Sequence, residues 1–132
     1  MKRKDWLFWL LVLIAAATAL TGAAQAMAPG FVLHLLAAES TTTSQHFFAI
    51  VGMFMVLFGG ATLQALLSLK HHPVVILWSG LQKLGAAVAV GWGVERGVFS
   101  TLACIVAVVD LISGLLALWY WRRIKQESEQ VR

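Results

Sequence analysis

The chain has 132 residues and a formal charge of +4, and 60% of it is hydrophobic against 12% charged. A water-soluble fold of this length has too little interior to hide so much apolar surface, so a freely soluble globular domain is excluded and lipid is the solvent for most of the chain. The basic residues sit beside apolar segments and form no stripe along a folded surface, which argues against nucleic acid as the partner.

Crossing the hydrocarbon core takes roughly 20 mostly apolar residues as a helix. Four such runs occur, at about 6–26, 47–69, 74–94 and 98–121, and they predict an all-α, antiparallel four-helix transmembrane bundle forming one domain over 1–132. The first run follows Lys2-Arg3-Lys4 and ends near Ala24-Gln25-Ala26, a pattern that also resembles a secretory signal peptide with its cleavage site. Its apolar core, Trp6 to Gly22, exceeds the roughly 7–15 residues usual for such a leader, so the run is expected to stay as a span. In the stretch from Ala28 to Gln45, the piece from Phe31 to Leu36 is too short to span and predicts a short interfacial helix. The hydroxyls of residues 40–44 can then cap the second span. Lys70-His71-His72-Pro73 and Glu95-Arg96-Gly97 are short connections, so spans two, three and four are antiparallel neighbours.

Cytoplasmic flanks hold an excess of lysine and arginine. Threading the four spans places Lys2, Arg3, Lys4, Lys70, Arg122, Arg123, Lys125 and Arg132 on one side and only Arg96 on the other, which predicts a multi-pass inner-membrane protein with both termini in the cytoplasm. Trp6, Trp9, Trp119, Tyr120 and Trp121 suit an aromatic belt at the inner interface, and Trp92 marks the outer one.

Lipid tails are as apolar as leucine, so membrane helices meet through small residues and polar contacts. The expected packing positions are Gly52, Gly59 and Gly60 in the second span, Gly80 and Gly91 in the third, and Gly114 within an Ala103, Ala107, Asp110, Gly114, Ala117 stripe in the fourth. Ala15, Ala19, Gly22 and Ala26 offer a similar stripe in the first. Lys83 lies about 13 Å into the third span and Asp110 about 15 Å from the inner end of the fourth at 1.5 Å per residue. Each charge at that depth costs at least ~2.5–3.5 kcal/mol alone. The two are therefore expected to pair between spans three and four, with Gln82, Gln64 and Ser113 supplying further hydrogen bonds. Such a pair either fixes helix register or serves a proton, ion or polar-substrate path, and its isolation from further intramembrane carboxylates or histidines favours the architectural role.

The four histidines do not suggest a cofactor. His71 and His72 lie in a turn, while His34 and His46 lie at or beyond helix ends, so no facing pair is placed to hold haem. A surface metal site from His34, His46 and Glu39 is conceivable, but solvated interfacial histidines are the simpler reading. Cys104, the single cysteine, reads as a small buried hydrophobe. No catalytic set converges, so no enzymatic activity, metal or cofactor is expected.

Residues 47–121 resemble a family of small four-helix bacterial inner-membrane proteins, and more loosely DoxX-like proteins. The likeness rests on Gly52, Gly59 and Gly60, on Pro73 after a basic turn, on Lys83-Leu84-Gly85, and on Asp110 after a short outer turn. It implies a four-helix fold in a bacterial inner membrane and no particular reaction. The expected role is an accessory, scaffold or interaction subunit with a membrane-protein partner or further copies of itself; the alternative is an oligomeric proton, ion or small-molecule transporter component using Lys83 and Asp110.

Overall fold

A computed structural model describes residues 4–131; Lys2, Arg3 and Arg132, counted above among the basic flanks, lie outside them. Five helices follow one another: α1 (Trp6–Met27), α2 (Pro29–Leu35), α3 (Thr42–Leu67), α4 (Pro73–Glu95) and α5 (Ala103–Gln130). Among the described residues α1, α3, α4 and α5 are long and apolar enough to cross a membrane, which makes this a multi-pass all-helical bundle.

Local chemistry sets the helix ends. Asp5 caps α1 by accepting from Phe8 N at 3.2 Å, and Pro29 at the first turn of α2 separates that short helix from α1. Thr41 and Ser44 form a reciprocal capping box, so α3 starts at Thr42 rather than at residue 47 as its apolar run suggested. Past Glu95 the chain makes a Schellman turn, with Gly97 N donating to Val94 O and Val98 N to Gly93 O. Gly97 takes φ +71°, the left-handed conformation such a turn requires. This turn and a following bend occupy residues 96–102, so α5 begins at Ala103 and not at Val98. At its far end α5 continues past the apolar run to Gln130.

The four spans form two close pairs, α1 on α3 and α4 on α5, joined into a ring by narrower α3–α4 and α1–α5 contacts. Small residues govern the close pairs. A Cβ added at Gly52 would stand 2.6 Å from Gly22 O and Ala26 N, and one at Gly59 would stand 2.8 Å from Ala15 O. The α1 and α3 backbones therefore touch where any side chain would hold them apart. In the second pair a Cβ at Gly114 would lie 2.8 Å from Leu84 Cδ2 and 3.0 Å from Gly80 O.

Two expected packing glycines do not pack. Gly60 is exposed with open space before its Cβ position, because it sits about 100° around the helix from Gly59 and only one of them can face α1. Gly91 also meets nothing. Lys83 faces Asp110 and Gly80 faces Gly114, so in this register Gly91 falls opposite residues 102–103, where α5 has only begun.

The apolar core gathers at the end that holds the start of α1 and the later part of α5: Leu7, Phe8, Leu11, Ala65, Leu66, Ile76, Ala117, Tyr120 and Ile124. Outward-facing positions such as Leu13, Leu20, Phe54, Leu57, Val88, Ile105 and Ile112 stay exposed, as lipid-facing side chains do.

A candidate intramembrane polar site

Lys83 Nζ donates to Asp110 Oδ1 at 2.9 Å, and the two side chains are 15% and 13% exposed. The approach depends on glycine. Gly80 lies one turn from Lys83 and Gly114 one turn from Asp110, and their mutual contact lets α4 and α5 come close enough for the charges to meet.

The remaining polar groups expected around the pair sit elsewhere. Gln82 and Ser113 line a small cavity beside Lys83, and neither hydrogen-bonds to Lys83 or Asp110. Gln64 is exposed near the end of α3. It lies one turn from that end, whereas Lys83 is about 15 Å into α4 from the same side, so the two never share a depth.

The cavity measures about 30 Å3 and takes polar groups from all four spans: Thr18, Thr62, Ser79, Gln82, Lys83 and Ser113. Its accessible surface is nonetheless almost wholly apolar. Thr62 and Ser79 join α3 to α4 by a hydroxyl–hydroxyl hydrogen bond. Because the Thr62 hydroxyl already donates to Phe58 O at 2.7 Å, Ser79 is the donor between them. A further interhelical bond runs from Gln25 Nε2 to Phe48 O at 2.9 Å, tying α1 to α3.

A second ion pair, not anticipated from the sequence, closes the basic end. Arg123 donates from Nη1 to Asp5 Oδ2 at 2.6 Å and from Nη2 to Asp5 Oδ1 at 3.1 Å. The Asp5 hydrogen bonds raise the pKa of the Arg123 guanidinium, which lies past the apolar part of α5. Its charge also stands 5.2 Å from the Tyr120 ring, and the rings of Trp6 and Trp119 meet at 6.1 Å. The available signal was an aspartate directly before an apolar helix, which is an N-cap signature. Lys125 stacks near Trp121 at this end and Arg96 near Trp92 at the other, so cation and aromatic side chains mark both ends.

Among the described residues no three His, Cys, Asp or Glu side chains gather as a metal site, and His34, His46 and Glu39 form none. Comparison with protein-family models, curated proteins and solved structures finds no match to the chain.

Proposed function

We propose that the chain is an accessory or scaffold subunit of a bacterial inner membrane, working through contacts with another membrane protein and carrying no reaction of its own. One observation supports this above the rest: Lys83 is paired with Asp110, and the cavity beside it is small, at about 30 Å3. The pair then serves to lock α4 against α5, since an uncompensated charge at that depth is costly. Both termini lie in the cytoplasm by the bias of lysine and arginine. Gly60, exposed and unobstructed on α3, allows a partner helix to approach closely.

A second reading, in which several copies build a proton path past Lys83 and Asp110, draws on the depth of that ion pair in the membrane. Purification in gentle detergent followed by mass spectrometry separates the two. A stoichiometric companion protein is the expected result. A homogeneous homo-oligomer whose proton flux in vesicles disappears in Asp110→Asn overturns the accessory role.

A further inference from the structure

Between α3 and α4 a groove of about 540 Å3 opens toward the basic end of the bundle. Its walls include Ala61, Gln64 and Ala65 from α3, Val75 from α4, and Ser68 and His72 at the two ends of the connection between them. The groove exists because each helix is committed to a different neighbour, α3 to α1 and α4 to α5, although only residues 68–72 connect them. Its volume falls in the range of sites that enclose a small organic ligand. From Ala61 to Ser68 it runs about 10 Å along α3 at 1.5 Å per residue, the outer part of one leaflet.

Ala61, Ala65 and Val75 offer apolar walls with Gln64 among them, and Ser68 and His72, hydrogen-bonded at 3.1 Å, stand at the mouth. Lys70 is exposed on the turn above them and has no carboxylate partner among the described residues. A largely apolar slot with a lysine on the adjoining turn, where Lys70 N donates to Ser68 Oγ at 3.3 Å, is complementary to a molecule with a negative head and a hydrocarbon tail. Empty apolar space would forfeit dispersion contacts on both walls, and a lysine at the membrane surface favours anionic over zwitterionic headgroups.

We propose that this groove binds one anionic phospholipid, with its phosphate beside Lys70, Ser68 and His72 and an acyl chain along Ala61, Ala65 and Val75. The site is a property of the isolated chain and does not depend on any protein partner, so its test and that of the accessory role fail separately.

The test titrates the full chain in gentle detergent with phosphatidylglycerol or phosphatidylcholine and counts bound lipid by native mass spectrometry. One phosphatidylglycerol is expected to stay bound in preference to phosphatidylcholine. Lys70→Ala, on an exposed turn where folding is not at stake, is expected to lower that preference about fivefold. Ala61→Phe is expected to reduce binding of both lipids by filling the slot, while Gly60→Phe, one position around the helix, leaves it intact. Equal retention of the two lipids by the unaltered chain overturns the proposal, and so does a Lys70→Ala variant with undiminished preference. Ala61→Phe and Gly60→Phe behaving alike, or displacement of the lipid by inorganic phosphate at matched ionic strength, overturns it as well.

Discussion

Arg123 holds both carboxylate oxygens of Asp5 across a sequence separation of 118 residues, and the same Asp5 caps α1. One side chain thus starts the first span and fastens it to the last. Asp5→Ala removes both the cap and a bidentate ion pair whose side chains are 25% and 22% exposed, and is expected to cost about 1–2 kcal/mol. Asp5→Asn keeps the cap and Arg123→Ala keeps the aspartate, so each is expected to lower the unfolding temperature in detergent less than Asp5→Ala does. Equal losses in all three would assign the stabilisation to the ion pair alone.

Lys83→Ala leaves Asp110 uncompensated and is expected to destabilise the bundle by about 3 kcal/mol. Adding Asp110→Ala is expected to restore most of that loss, because the double variant holds no stranded charge. Thermal unfolding of the two single variants and the double, read as a cycle, checks this. A double variant as unstable as the singles would mean that the pair itself, and not the avoidance of a lone charge, holds α4 to α5.

Gly52→Leu is expected to force α1 from α3, since even a Cβ there meets backbone at 2.6 Å. The cost is at least the ~1–3 kcal/mol of ordinary overpacking and shows as aggregation or loss of a single peak on size exclusion. Gly60→Leu, with nothing in front of it, is expected to leave the isolated bundle unchanged. If both variants behave alike, the close α1–α3 crossing is not as described.

Helix α1 contributes Leu7, Phe8 and Leu11 to the core and Gln25 to an interhelical hydrogen bond. Its removal would expose the inner faces of α3 and α5, so it is expected to remain in the mature protein. Intact mass of the purified chain checks this directly; a species beginning after Ala26 would refute it.

The four spans, the short helix after the first and the meeting of Lys83 with Asp110 are legible in the sequence, because hydropathy and depth along a helix are one-dimensional quantities. Rotation about the helix axis is less so. Gly59 and Gly60 carry the same compositional signal, yet only the packed structure tells which one faces α1. Gln64 shows a related limit: its polarity suits the ion pair, but its place one turn from the end of α3 keeps it from that depth. The Asp5–Arg123 pair escaped notice because it joins two flanks that look like simple carriers of basic charge. The cavity-lining hydroxyls of Thr18 and Ser79 give no such signal, because threonine and serine in a span can satisfy themselves on their own helix, as Thr18 does with Ile14 O.

The division of the bundle into α1 with α3 and α4 with α5 bears on how the chain enters the membrane. Each pair is contiguous in sequence, residues 6–67 and then 73–130, so the first can close as a hairpin before the second has been synthesised. Lys83 emerges before Asp110. Because a lone lysine is costly in hydrocarbon, α4 is expected to enter the bilayer together with α5, as an electrically neutral pair.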